Sequence, residues 1–189
     1  MGPLTGSMST VAPIPAAAQD ELATENITLA AQAARGIGAT VFIEPLSGPK
    51  PYPLRTAADA VAVVRRARAA GPANVAFLCD LYHLASNGDD LDVAIAAYAA
   101  DVGHVQIADA PGRGEPGSGE LDLDRYLSAL EDHGYRGWVS LEYKPTTTTE
   151  ASLAWLPASR RGAAPPGLRL SPRTHPRSDE GATREGGAS

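Results

Sequence analysis

Four short apolar runs, each carrying one oxygen-bearing side chain, organise the sequence. Three contain a carboxylate, namely Glu44 in TVFIEPL, Asp80 in VAFLCDLYH and Glu142 in WVSLEYKP, and another contains Gln106 in HVQIAD. A buried amide or carboxylate without a hydrogen-bond partner costs about 1–3 kcal/mol, so such groups need a partner. The pattern therefore predicts four strands that deliver four oxygen ligands to one place.

Amphipathic helix patterns alternate with these runs. The strands are predicted at 40–46, 75–80, 105–108 and 138–143. A first helix is expected to start at Asp20 or Thr24 and to end at Arg35. The other predicted helices and their N-caps are 57–70 after Thr56, 91–101 after Asp89 and Asp90, 123–133 after Asp122, and a short helix at 150–156. A strand every ~30 residues is typical of βαβ units around a buried parallel sheet.

Two parallel architectures fit this repeat, an open doubly wound sheet and a barrel. A dinucleotide-binding sheet would have a GxGxxG turn after its first strand, whereas Gly36 and Gly38 lie before the first strand. The polar residues lie at the carboxyl ends of the strands, which is where barrel enzymes build their active sites. The sequence therefore favours an α/β fold of the TIM-barrel type.

Composition narrows the class of protein. The chain has 189 residues, 43% apolar and 20% charged, which suits one globular domain. The net charge of −6 argues against nucleic acid or an anionic membrane as a partner, and no run reaches the ~18 apolar residues that span a bilayer. The single cysteine, Cys79, excludes an internal disulfide. It is expected to be a small buried residue in a reducing cytoplasm.

The two ends differ from the middle of the chain. Residues 1–20 lack the basic flank and the apolar core of a secretory signal. We therefore expect them to form a disordered leader. Residues 158–189 predict a disordered tail rich in Pro, Arg and Gly, with too little apolar content to offset ordering entropy. A basic tail could also contact RNA or an acidic partner, but solvated disorder is favoured. The folded unit is expected at residues 21–157.

The four oxygen-bearing residues form a hard donor set. Carboxylates and an amide carbonyl suit Mg²⁺ or Mn²⁺, whereas tetrahedral zinc usually takes His or Cys. Each of Glu44, Asp80, Gln106 and Glu142 could instead be a structural polar group, but four at equivalent strand ends favour a metal site. His104, two residues before Gln106, is expected to orient a ligand or to pack inside the barrel.

Two further residues are candidates for substrate binding. His83 follows Asp80 by three residues, so both can face one cleft, although a lone DxxH more often holds an exposed loop histidine. Arg113 could bind a substrate carboxylate through its forked guanidinium. Its alternative is a surface arginine paired with Glu115 or Glu120.

These residues lie in motifs that resemble the hydroxypyruvate isomerase family of the xylose isomerase-like TIM-barrel superfamily. The resemblance extends from about Glu21 to Pro157. The motifs that carry it are IEPL (43–46), DLYH (80–83), GHVQIADAPGRGEPGSGE (103–120) and GYRGWVSLEYKP (134–145). Related ketose epimerases carry His where Gln106 stands, which points away from them.

The resemblance implies a metal-dependent isomerisation of hydroxypyruvate to tartronate semialdehyde through an enediolate, a reaction of glyoxylate metabolism. It implies Glu44 and Glu142 as the catalytic carboxylates and Mg²⁺ or Mn²⁺ as the cofactor. The further assignments are Glu44, Asp80, Gln106 and Glu142 as metal ligands, and His83 and Arg113 as substrate-binding residues.

The chain contains about four βα units, whereas a complete barrel has eight. The resemblance implies a partial (β/α)8 barrel, the C-terminal half. Three hypotheses follow. In the first hypothesis, the chain is an active isomerase of a small hydroxy-carbonyl acid, and it forms a homo-oligomer in which a second copy covers the open half-barrel. Alternatively, it is a truncated and inactive fragment, or an isomerase or epimerase of another small sugar.

Overall fold

The structure is a computed structural model that describes residues 15–48 and 52–157. Most of the predicted leader and all of the predicted tail, residues 1–14 and 158–189, lie outside the described residues, and the disorder expected there stays a prediction. The first helix, α1 (Ala16–Arg35), begins earlier than Asp20 or Thr24 and has no side-chain cap. Its start is set by three consecutive alanines, the best helix formers, directly after Pro15.

The described chain forms one parallel sheet flanked by helices, which confirms the predicted α/β partial barrel. The strands are β1 (Val41–Ile43), β2 (Val75–Asp80), β3 (Val102–Ile107) and β4 (Val139–Leu141), in the order β1-β2-β3-β4 with parallel pairing throughout. β2 has its predicted bounds. β1 is shorter than predicted because Pro45 lacks the N–H that would continue the ladder.

Helices connect the strands, as the periodicity predicted. They are α2 (Ala57–Ala69), α3 (Leu81–Ser86), α4 (Leu91–Tyr98) with a 3-10 turn at Ala99–Asp101, α5 (Leu123–Asp132) and α6 (Thr149–Ser152). Thr56 caps α2 in a capping box with Asp59, and Asp90 and Asp122 cap α4 and α5. α3 was not predicted. No helix in the described ranges is long and apolar enough to cross a membrane.

The two faces of the sheet differ in chemistry. Side chains of the outer face, such as Phe77 and Ile107, are buried in one core with residues of the helices. Cys79 belongs to this core, as predicted, and burial raises the pKa of its thiol to about 12. The opposite face holds Phe42 and His104, whose rings lie 5.7 Å apart. The core thus positions the strands. The opposite face, called the inner face below, carries polar and aromatic side chains.

Candidate active site at the carboxyl ends of the strands

Parallel pairing brings the four predicted oxygen ligands to one edge of the sheet. Glu44 follows β1 directly, Asp80 ends β2, Gln106 is the penultimate residue of β3 and Glu142 follows β4. The register pairs Asp80 with Gln106, so these two side chains are neighbours on the same face. Alternation of side chains along a strand thus turns four separate sequence motifs into one site.

Three of these residues contribute buried oxygens that lack a hydrogen-bond partner. They are Oε1 of Glu44, Oδ2 of Asp80 and Oε1 of Gln106. Glu44 and Asp80 also form a compact group with His83, with one ligand atom of each residue within 4.8 Å of the others. Buried oxygens without a partner are rare and costly in folded proteins, so a missing cationic or hydrogen-bonding partner is the physical explanation.

The electrostatics of the group support this explanation. Burial, together with the charges of Asp80 and Glu142, raises the pKa of Glu44 to about 7 against the opposing charge of Arg113. Burial also raises the pKa of Asp80 to about 6, although the His83 N–H bond to its carboxylate acts in the other direction. Glu44 is therefore partly protonated at neutral pH while Asp80 is mostly ionised, and a bound cation would displace the proton of Glu44.

Glu142 lies at the rim of this group. Its Oε1 accepts a hydrogen bond of 2.7 Å from Nη2 of Arg113, and its side chain is 43% exposed. The guanidinium of Arg113 also lies over the ring of Tyr82, 5.2 Å from its centroid. Arg113 therefore pairs with a predicted catalytic residue and not with Glu115 or Glu120. In this arrangement Glu142 is near the cluster but bound to a cationic side chain.

His83 is a buried residue of α3 and not a loop histidine. The carboxylate of Asp80 caps α3 by accepting a hydrogen bond from the His83 backbone N–H, which fixes the spacing of the two residues. The side chain is packed against Tyr82, and its Nε2 lies 3.9 Å from Oδ2 of Asp80. Burial, with the charge of Arg113, lowers the pKa of His83 and keeps its ring neutral.

The loop that follows β3 is organised by Asp109, which sequence analysis missed. Its carboxylate is 1% exposed and accepts hydrogen bonds from the backbone N–H groups of Ala110, Gly117 and Leu121. The backbone N–H of Lys144 donates to the carbonyl of Arg113 and joins the loop to the end of β4. An acidic residue directly before the Pro- and Gly-rich stretch was the available signal, because Asp side chains commonly bond to backbone in turns.

His104 contributes to the inner wall below the site. Its Nε2 lies 2.8 Å from the Oγ of Ser140, and burial lowers the pKa of the ring. The residue therefore packs inside the sheet, one of the two roles expected for it. Tyr52, also missed by sequence analysis, donates from its hydroxyl to the main-chain oxygen of Glu44 and holds that residue at the end of β1.

The described residues fit a hard divalent cation. Two carboxylates and one amide carbonyl supply the oxygen donors that Mg²⁺ and Mn²⁺ prefer, and each has an oxygen that no described group satisfies. Together, the parallel sheet, the acidic site at its carboxyl edge and the loops around it are the features of a barrel enzyme.

Comparison with known proteins gives the family. A family model described as "Xylose isomerase-like TIM barrel" matches residues 4–159, and the chain belongs to this family. A Streptomyces coelicolor protein named "Putative hydroxypyruvate isomerase" is 54% identical over 151 residues, which cover 78% of this chain and 54% of that protein. The predicted resemblance to hydroxypyruvate isomerases is thereby confirmed.

Two further matches broaden the comparison. The 2-oxo-tetronate isomerase of Cupriavidus necator is 36% identical over 134 residues, covering 70% of this chain and 50% of that protein. A solved structure of an AP endonuclease, family 2, from Brucella melitensis superposes with a TM-score of 0.68 and 38% identity, covering 76% of this chain and 55% of that chain. The chain thus spans about half the length of the curated relatives it matches.

Proposed function

We propose that this protein is a metal-dependent isomerase that interconverts hydroxypyruvate and tartronate semialdehyde. The observation that carries the proposal is the set of three partnerless buried oxygens on Glu44, Asp80 and Gln106. The similarity to proteins named as isomerases supports the reaction class. Mg²⁺ or Mn²⁺ is the proposed cofactor, held by these three residues, with Glu142 as a further ligand once it leaves Arg113.

The reaction moves hydrogen between adjacent carbons without an external oxidant. When bound, a divalent cation would polarise the substrate carbonyl and stabilise the negative charge of an enediolate. One carboxylate removes a proton from the hydroxymethyl carbon, and a proton is returned to the former carbonyl carbon, while the hydroxyl proton moves from one oxygen to the other. Glu44 and Glu142 are the proposed pair.

Arg113 and His83 are proposed to hold the substrate. A guanidinium has five N–H donors, and Arg113 uses Nε and Nη2 for the carbonyl and carboxylate of Glu142. A substrate carboxylate at the same guanidinium would compete with Glu142 and release it towards the reacting carbons. His83, neutral and buried, can donate a hydrogen bond to a substrate oxygen.

A second candidate is the isomerisation of another small sugar acid. The similarity to a 2-oxo-tetronate isomerase favours it. The residues described here would perform the same proton transfer on a longer hydroxy-keto acid. A panel of hydroxypyruvate, 2-oxo-tetronates and ketoses separates the two candidate functions. The highest kcat/KM should fall on hydroxypyruvate if the first candidate is correct and on a longer sugar acid if the second is.

We further propose that a second copy of the chain covers the inner face of the sheet. Among the described strands, β1 and β4 each pair with one neighbour only, which leaves an edge on either side. Phe42 is 39% exposed on the inner face. Open edges and exposed aromatic side chains of this kind favour association. Nucleic acid and membranes are not proposed partners.

The experiment that tests the proposed function measures Mn²⁺ binding and turnover together. The wild-type protein is expected to bind Mn²⁺ and to convert hydroxypyruvate, and a chelator should abolish turnover. Asp80→Asn removes a charged ligand and should weaken Mn²⁺ binding at least about 100-fold, as measured by titration calorimetry.

Asp132→Asn, the same change at an exposed position of α5, is the matched control and should bind Mn²⁺ like the wild type. A folded wild-type protein that is loaded with Mn²⁺ but shows no turnover on any substrate of the panel would refute the isomerase. Equal Mn²⁺ affinities for Asp80→Asn and Asp132→Asn would refute the metal site.

Metal binding should depend on pH in a direction that the two raised pKa values set. With the pKa of Glu44 near 7 and that of Asp80 near 6, protons compete with the cation below neutral pH. Mn²⁺ affinity should therefore fall between pH 8 and pH 5.5, by up to about tenfold per pH unit for each displaced proton. Titrations across this range check it, and a constant affinity would contradict it.

The same raised pKa values predict that the stability of the metal-free fold changes with pH in the opposite direction to the metal affinity. Because the folded-state pKa of Glu44, about 7, lies above its ordinary value of 4.5, the folded state binds more protons than the unfolded chain between these values. The free energy of unfolding of the metal-free protein should therefore fall as pH rises through this window. Glu44→Gln should lose the slope above about pH 6, whereas Asp80, with a pKa of about 6, should keep part of it at lower pH, as urea titrations at several pH values would measure.

A further inference from the structure

The ring of His83 is held by a residue that no sequence motif singled out. The backbone N–H of Ser47 donates to Nδ1 of His83 at 2.9 Å, and the Oγ of Ser47 lies 2.7 Å from the same nitrogen. The two residues are 36 positions apart, one in the loop after β1 and the other on α3. His83 is 4% exposed, so water does not replace these contacts.

The chemistry of these contacts determines where the ring carries its proton. A main-chain N–H can only donate, so Nδ1 must present its lone pair to Ser47. A neutral imidazole with an unprotonated Nδ1 carries its hydrogen on Nε2. If Nδ1 carried it instead, two hydrogens would face each other between His83 and Ser47, and the part-buried N–H of Ser47 would lose its acceptor.

Nε2 faces the acidic group. It lies 3.9 Å from Oδ2 of Asp80, an oxygen with no hydrogen-bond partner, and Glu44 completes the cluster. Arg113 and Glu142 are the other charged groups that act on the ring. A proton on Nε2 is attracted by this negative environment, and it occupies the lone pair that a metal ion would need. The cluster of two carboxylates and one histidine therefore contains two metal ligands and one hydrogen-bond donor.

We propose that Ser47 is a positioning residue that fixes His83 as the Nε2–H tautomer, so that His83 donates to a substrate oxygen beside Glu44 and Asp80 and does not ligate the metal. The identity of the acceptor as an isomerase substrate rests on the proposed function. The tautomer and the role of Ser47 stand on the described contacts alone. Gln106 then supplies the third ligand from the described strands.

Nitrogen NMR of the histidine rings in the full chain tests the tautomer. In the metal-free protein, Nδ1 of His83 should resonate in the pyridine-like range and Nε2 in the pyrrole-like range. Addition of Mg²⁺, which is diamagnetic, should leave this assignment unchanged. Protonated Nδ1, or loss of the Nε2 hydrogen on adding Mg²⁺, would overturn the proposal.

Variants of Ser47 test its positioning role. Ser47→Ala removes the hydroxyl but keeps the backbone donor, so the Nε2–H of His83 should exchange with water several-fold faster. Ser47→Thr restores the hydroxyl and should return the exchange rate towards that of the wild type. An exchange rate in Ser47→Ala equal to the wild-type rate would show that the hydroxyl of Ser47 does not hold the ring and would overturn its side-chain positioning role.

His83→Phe tests whether the ring is a ligand, because phenylalanine keeps an aromatic ring of similar size and has no atom that can coordinate a cation. Mn²⁺ affinity should stay within about twofold of the wild type, whereas loss of a ligand would lower it by more than about tenfold. A loss of that size would overturn the donor role. If the wild-type protein binds no divalent cation, the proposed function fails, while the tautomer measurement still decides this inference.

Discussion

Glu142→Gln is expected to lower kcat for hydroxypyruvate by about 10²–10⁴-fold, the usual contribution of a general acid or base. Glutamine keeps the shape of the side chain and an oxygen that can accept the Arg113 hydrogen bond, but it cannot take up a proton. Because Glu142 is bound to Arg113 and is partly exposed, its removal should leave the fold intact. Steady-state kinetics with saturating Mn²⁺ measure the effect.

Glu120→Gln is the matched control, since Glu120 is an exposed residue at the end of the loop that also contains Arg113. It should keep the wild-type kcat and KM. Thermal unfolding of both variants separates a chemical loss from a folding defect. A kcat for Glu142→Gln within threefold of that for Glu120→Gln would remove Glu142 from the mechanism and leave Glu44 as the sole candidate carboxylate for proton transfer.

Phe77→Ala is expected to destabilise the protein by about 3–5 kcal/mol, the cost of a large cavity in a well-packed core. Phe77 lies in the middle of β2, is 1% exposed and belongs to the cluster that joins the outer face of the sheet to the helices. Removal of its ring leaves a cavity that residues on both sides must fill. Urea denaturation followed by circular dichroism measures the change.

Phe42→Ala makes the same change on the opposite face and is the matched comparison. Phe42 contacts His104 but is only partly buried, so its loss should cost about 1–2 kcal/mol. If a second copy covers this face, Phe42→Ala should also weaken self-association in sedimentation velocity, whereas Phe77→Ala should act on the isolated subunit. A Phe42→Ala variant that associates like the wild type would contradict the proposed dimer surface.

The sequence predicted the fold well because its signals are local and repeated. The Thr56 cap, the apolar run of β2 and the Asp122 cap each specify an element through contacts within a few residues. The shorter β1 and β4 were less well predicted, because the length of a strand depends on neighbours that sequence reasoning does not place. α3 was missed because DLYH reads as a loop until the capping role of Asp80 is seen.

The candidate site, like the fold, has features that the sequence predicts and features that only the tertiary structure decides. The sequence by itself determined which oxygen-bearing side chains reach the carboxyl edge, because strand period and chain order place Glu44, Asp80, Gln106 and Glu142 there. Only the tertiary structure decided their partners. Ser47 meets His83 across 36 residues and Arg113 meets Glu142 across 29, and no local pattern encodes such pairings. The physical reason is that hydrogen bonds between loops depend on how strands and helices pack, whereas the period of a strand is written in adjacent residues.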